Sequence, residues 1–359
     1  MIGNTAANGK KKARLIDIAE QVGVSKAAVA SVLTNPGKNN IKVSAQTSEA
    51  IRRVAQEMNY TPNISARTLA GGKSMVIGAL IDSWAPRSIY RILSEIEDQA
   101  AAAGYRLMVG QSHNNVENIF QCYQNFIRHD IDGVICMAHE YPGNEDKLRD
   151  FFEKRRNLVF VEKPAFGSGS YVDIERENGV RQAVLHLAEE GCARIGLLFW
   201  GAPASYYSLR QRRDGYRQGM AEAGLPFDAE FETAMDWNIP EAALVAALQA
   251  YIEEKIIPNR LDAVITSNDV VAAHLLRELQ RRGLRVPEDV ALVGHDNDDF
   301  TRFSYPSLTT VEQKTREVGN AAFKMLWEQL NGQSGPERFR RISTELVIRE
   351  SSMRLNKNK

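Results

Sequence analysis

Apolar residues recur at helical spacing from Leu15 to Tyr60, and the pattern then changes character. Leu15, Ile16, Ile18, Ala19 and Val22 form the apolar side of a short first helix. Gly23 supplies the turn after it, and Ser25 caps a second helix that runs to about Leu33. At about 100° per residue, Ser25, Ala28, Val29, Val32 and Leu33 share one arc of this helix and are expected to pack inward. Lys26, Ala27, Ala30 and Ser31 share the opposite arc and are left facing outward. Ser44 then caps a third helix whose Ile51, Val54, Ala55 and Met58 lie at i, i+3, i+4 and i+7. Three short helices with one open face describe an all-α helix-turn-helix unit.

Pro62 ends that pattern, and beyond residue 75 short apolar runs alternate with amphipathic helices. The runs are 75–81, 105–109, 133–137, 158–161, 195–199, 263–266 and 290–293. The helices between them are 89–103, 116–129, 178–190, 215–223, 240–254, 270–282 and 315–330. Such alternation predicts an α/β body of parallel sheet covered by helices on both faces. The strands, about ten of them, exceed one comfortable sheet, so two doubly wound lobes are expected. The organisation read from these patterns is a disordered tail at 1–13, a helix-turn-helix domain at 14–61 and a hinge at 62–74. A two-lobed body follows at 75–350, with one lobe over about 75–170 and 300–330 and the other over about 171–299 and 331–350. Residues 351–359 read as a second tail.

Composition narrows the function. A chain of 359 residues with 43% apolar and 25% charged content is globular and too long for one core. No apolar run approaches the roughly 18 residues of a membrane span. The N-terminus is basic but lacks the apolar stretch of a secretory signal. Cys122, Cys136 and Cys192 are far apart and odd in number, and read as reduced core residues of a cytoplasmic protein. The net charge of zero conceals an asymmetry. Residues 1–74 hold eleven Lys/Arg against four Asp/Glu, a net of +7, which leaves −7 on the remainder. A basic end on an acidic body points to an anionic polymer as partner of the N-terminal domain.

The chain also resembles the lactose/galactose repressor family of transcription regulators. The carrying residues are Asp17-Ile18-Ala19 and Gly23-Val24-Ser25 in the helix-turn-helix, the Asn59-Tyr60-x-Pro62-Asn63 junction and the Ala66-Arg67-x-Leu69 hinge. The likeness continues to about Arg349. It implies base reading by Lys26, Ala27 and Ser31, with Ser25 and Ala30 beside them on double-stranded DNA. It also implies a hinge helix contacting DNA through Asn63, Ser65, Arg67 and Leu69, the leucine wedging between base steps of the minor groove. Two hinges must pair, so a homodimer and a pseudo-palindromic operator follow. The chain departs from the family's common Thr-Val-Ser-Arg by having Ala28-Val29-Ala30-Ser31, so no family operator sequence carries over. Lys38 and Lys42 flank a loop that contacts phosphate or is merely solvated.

For the body, the resemblance implies the fold of periplasmic sugar-binding proteins, two doubly wound lobes joined by three crossing strands with an effector between them. Arg212, Asn268 and Asp296 match the family's ligand-binding positions, and Asp82, Trp84 and Trp237 flank the same cleft. Their chemistry suits a sugar or sugar derivative: carboxylates accept from hydroxyls, arginine donates two parallel bonds, and a tryptophan face covers a pyranose. Blander roles remain open for them, a turn cap for Asp296, core for Trp237 and an interlobe salt bridge for Arg212. Arg87 and Arg210 leave room for a phosphorylated or carboxylated effector.

The resulting expectation is a transcriptional repressor whose operator affinity is set by a small molecule. An effector that separates the paired hinges would act as inducer, one that brings them together as corepressor. The rival is a solute-binding protein without a regulatory role, which would have no headpiece. An enzyme is not expected. The chain has no GxGxxG after its first strand, no P-loop, no GxSxG and no metal-spaced His/Cys cluster, so neither cofactor nor metal is foreseen. The C-terminal residues lack a leucine heptad, which favours a dimer over a tetramer.

Overall fold

The computed structural model describes residues 13–33, 41–61, 72–83, 85–200, 206–235, 241–333 and 339–354. It divides into two compact units, Met1–Val76 with His129–Asp132, and Ile77–Arg128 with Gly133–Lys359.

The first unit contains α1 (Leu15–Val22), α2 (Lys26–Leu33) and α3 (Ala45–Glu57). Ile18, Ala19, Val29, Ile51, Val54 and Ala55 form its core. The punctuation foreseen for it is in place. Gly23 adopts φ 74° at the end of α1, where only glycine is free of strain. Ser25 Oγ accepts from the Ala28 amide at 3.1 Å, and Ser44 Oγ accepts from the Thr47 amide at 3.1 Å. Ile16 departs from expectation with 36% exposure. It lies about 100° around the helix from Leu15, at the rim of the apolar arc.

In the second unit, β1 (Val76–Ile81), β2 (Arg106–Gln111), β3 (Gly133–Cys136), β4 (Leu158–Val161), β5 (Ser170–Glu175) and β11 (Phe339–Ser343) make one sheet, ordered β11-β5-β4-β3-β1-β2. The strands β6 (Ile195–Trp200), β7 (Glu232–Met235), β8 (Ala263–Thr266), β9 (Ala291–His295), β10 (Thr309–Glu312) and β12 (Glu345–Val347) make the other, ordered β12-β10-β9-β8-β6-β7. The first five strands of each sheet thus repeat one doubly wound order, and the paired strands run parallel apart from β12 against β10. The main helices are α4 (Arg87–Ala102), α5 (Val116–Arg128), α6 (Glu145–Phe152), α7 (Arg176–Glu189), α8 (Tyr207–Glu222), α9 (Glu241–Tyr251), α10 (Asp269–Arg281) and α11 (Thr315–Leu330).

The chain passes between sheets three times, from β5 into α7, from β10 into α11 and from β11 into β12. Sheet membership therefore moves the lobe boundaries foreseen from sequence. Residues 171–175 belong to the first lobe, 300–312 to the second, and β11 returns to the first. Handover occurs at strand ends, and β5, β10 and β11 carry too many polar residues to announce themselves as apolar runs. The C-terminal residues 351–354 are also not a tail. Ser351 and Ser352 are fully buried, Ser351 Oγ donates to the Leu292 carbonyl at 2.7 Å, and the Arg354 amide donates to Glu190 at 2.8 Å.

Candidate effector site and DNA-reading face

On α2, Ser25, Lys26 and Ala27 are exposed and Ala30 is half-buried, as a groove-reading face requires. Ser31 differs. It is 9% exposed and its hydroxyl donates to the Ala28 carbonyl at 2.8 Å. α2 packs against both α1 and α3, so more than one arc of this short helix is covered. Asn63, Ser65, Arg67 and Leu69 of the hinge lie outside the described residues, as do Trp84 and Trp237.

In open α/β sheets ligands bind beyond the carboxyl ends of the strands, near the point where strand order reverses. Here the loops at those ends, from both sheets, meet. The Tyr207 amide at the start of α8 donates to Glu140 Oε1 at 2.8 Å, and the Tyr207 hydroxyl donates to Asp173 Oδ2 at 3.2 Å. Arg176, the first residue past the β5 crossing, pairs with Glu162 and donates to Gln211 Oε1 at 3.4 Å. Arg91 on α4 donates to the main-chain carbonyls of Asp296 and, at 3.0 Å, Asn297. The lobes are therefore drawn together around a polar junction.

Two of the residues assigned on sequence stand at its centre. Arg212 is 8% exposed, donates from Nη1 to the Ser208 carbonyl at 3.0 Å, and has no acceptor at Nε. Burial, with Arg176 alongside, lowers its pKa to about 9. Asp296 follows β9 in a turn at φ 108° and accepts from the Gln313 side-chain amide. Burial pushes its carboxyl up to about 6 against the pull of Arg212 and Gln313. Asp82, after β1, accepts from the hydroxyls of Ser112 and, at 2.6 Å, Tyr141, and burial raises it above the ordinary aspartate range. Asn268 has a plainer task. Its Oδ1 accepts from the Val271 amide at 2.9 Å and caps α10. Arg87 lies over the Phe300 ring and Arg210 over Tyr207, each 6.0 Å from the ring centre.

Sequence reading missed half of the constellation: Glu140, Glu162, Asp173, Arg176, Gln211, His295 and Gln313. His295 is fully buried with neither ring nitrogen bonded, and burial beside Arg212 and Arg176 holds it neutral. Gln313 Oε1 and Arg176 Nε are likewise buried without partners. Applying the carboxyl-end rule to β3, β4 and β10, as well as to the four strands considered, would have reached Glu140, Glu162 and Gln313. Buried polar atoms left unbonded are costly, each of order 1–3 kcal/mol, and their gathering at one junction is what a ligand site requires. Among the described residues no cluster of three or more His, Cys, Asp or Glu could hold a metal, and no helix is long and apolar enough to cross a membrane.

Comparison with known proteins fits this architecture. Residues 14–63 match the family model for bacterial regulatory proteins, lacI family, and residues 184–352 match a periplasmic binding protein-like domain. The HTH-type transcriptional repressor PurR of Pasteurella multocida is 28% identical over 342 residues, covering 94% of this chain and 98% of that protein. The HTH-type transcriptional repressor CytR of Escherichia coli is 28% identical over 351 residues, covering 96% and 97%. Among solved structures, the Lac repressor dimer bound to operator and the anti-inducer ONPF superimposes with a TM-score of 0.82 at 25% identity, covering 96% of this chain and all of that one. The chain thus carries a DNA-binding domain that matches the lacI family of bacterial regulatory proteins, followed by a periplasmic binding protein-like domain, and is similar over nearly its whole length to HTH-type transcriptional repressors.

Proposed function

We propose that the protein is a sequence-specific DNA-binding transcriptional repressor whose operator affinity is controlled by a small polar effector held between the two lobes. The observation that carries this reading is Arg212, buried at the lobe junction with an unsatisfied Nε, in a chain that begins with a lacI-family headpiece. The relatives are transcriptional repressors, and the Lac repressor structure is a dimer on operator DNA. On this reading the protein works in the cytoplasm as a homodimer on a pseudo-palindromic site. Lys26 donates to a guanine edge and the Ala27 methyl packs on a thymine, with Ser25 and Ala30 beside them. Ser31 contributes only if its hydroxyl leaves the Ala28 carbonyl. The hinge residues Asn63, Ser65, Arg67 and Leu69 engage the minor groove, Leu69 as the wedge.

In the sensor, Arg212, Asp296 and Asp82 bind a sugar-like effector, Asn268 holds α10 in register, and Trp84 and Trp237 offer apolar faces to the ring. The effector shifts DNA affinity only by as much as it prefers one interlobe arrangement over the other. The test is selection of bound sites from genomic DNA with the full-length protein, followed by a thermal-shift screen of sugars and sugar derivatives. Arg212→Ala should retain the selected operator and lose the thermal response to every hit. A variant that still responds, or a wild type with no preferred operator, would overturn the reading.

A further inference from the structure

The lobe junction discriminates among polar ligands by charge, an inference that rests on its reading as the effector site. The two buried guanidiniums are engaged in part, Arg176 with Glu162 and Gln211 and Arg212 with the Ser208 carbonyl, and each keeps an Nε without an acceptor. The single charge of Arg212 is shared by Asp296, Glu162 and Glu140. Two buried cations thus face three carboxylates, with Asp82 close by and Asp173 paired with Arg341 at 3.5 Å. Arg210 also attracts Glu140, but its side chain is exposed on α8. Glu140 and Asp296 are held by neutral donors, the Tyr207 amide and the Gln313 side chain.

The unsatisfied atoms are of both kinds. Gln313 Oε1 and Asp173 Oδ1 are buried acceptors without donors, Arg176 Nε and Arg212 Nε are buried donors without acceptors, and neutral His295 presents one of each. A hydroxyl donates and accepts and so serves either kind, whereas phosphate and carboxylate bring only acceptors and more negative charge, and leave Gln313 and Asp173 unsatisfied. Burial raises the carboxyl of Glu140 to about 7, with Glu162 adding to the rise, and that of Asp296 to about 6 against the pull of Arg212. We propose that the effector is rich in hydroxyl or amino donors and free of anionic groups: a neutral or aminated sugar in place of a sugar phosphate or sugar acid.

The experiment uses the full-length protein and matched trios, each a hexose, its 2-amino derivative and its 6-phosphate, on the glucose, galactose and mannose frameworks. Affinity is measured by calorimetry. In any trio with a binding member, the neutral or amino sugar should bind at least about tenfold tighter than the phosphate, about 1.4 kcal/mol. Glu140→Gln, which keeps the acceptor for Tyr207, should narrow that ratio. A phosphate that binds as tightly as its parent sugar, or a ratio unmoved in Glu140→Gln, would overturn the proposal. Inorganic phosphate supplies an arm independent of framework. At constant ionic strength it should leave hydrogen exchange around Arg212 unchanged, and protection there would refute the charge rule. If no trio yields a binder, the sugar reading of the site falls, while the phosphate arm still decides the charge rule.

Discussion

Gly215→Ala separates packing at the effector site from helix propensity, because the two predict opposite signs. Gly215 lies within α8, one turn after Arg212, where α8 crosses the start of α7. A methyl group built on it would meet the Glu177 carbonyl oxygen at 2.2 Å, the Glu177 Cα at 2.7 Å and its carbonyl carbon at 2.8 Å. These are backbone atoms one residue past Arg176 and cannot swing aside, so the helices must part by about 1 Å to restore ordinary contact. Propensity alone favours alanine over glycine in a helix by about 1 kcal/mol. Overpacking a closed interface costs about 1–3 kcal/mol, and more when backbone must move. Because backbone must move here, the upper half of that range applies, about 2–3 kcal/mol, and the expected net is a loss of about 1–2 kcal/mol, read from urea denaturation at fixed protein concentration. The same displacement carries Arg212 away from Asp296, so sugar affinity should fall by about tenfold or more. A variant as stable as wild type, or more so, would show that α8 has room at this position and that the glycine does not set the placement of Arg212.

Three further changes probe other parts of the molecule. Arg91→Gln removes the guanidinium that reaches from α4 to the Asp296 and Asn297 carbonyls and lies 3.8 Å from the Asp298 carboxylate. Hydrogen exchange at 296–298 should rise several-fold with little change in melting temperature, and unchanged exchange would show that Arg91 does not hold this turn. Asp269 is raised to about 8, chiefly by burial and then by Asp296. The folded chain keeps a proton that the unfolded chain loses near pH 4, so this stabilisation is full below about pH 4 and is lost as pH rises through about 8. Asp269→Asn should flatten the fall in urea stability between about pH 7 and about pH 8, and slopes equal to wild type would exclude the assignment. Leu69→Ala should weaken operator binding far more than binding to random DNA in gel-shift titrations, and equal losses would rule out a wedge.

What the sequence announced and what it hid follow from one physical rule. The runs at 158–161 and 263–266 and the helix at 315–330 were legible to the residue, because their local pattern and their burial agree. β5 and β10 were not. Asp173 is 1% exposed in the middle of β5, and Thr309 and Thr310 are fully buried in β10, so neither strand reads as an apolar run. The apolar pattern predicts a helix only from Gly215, eight residues after the start of α8, because Arg210 to Arg213 looks like a polar loop although Gln211 and Arg212 are buried. Asp173, Gln211 and Arg212 lie at the lobe junction, and β10 leads into it at Gln313, while Thr309 bonds instead to Arg349 and Ser352 of the C-terminal segment. A site for a polar ligand must bury polar side chains where the two sheets approach, and those side chains break the periodicity that reveals a strand or a helix. Arg212 and Asp296 were recoverable only because a family resemblance marks them. Arg176, Glu162 and Gln313 carry no such mark and come into view when three separate chain crossings bring them together.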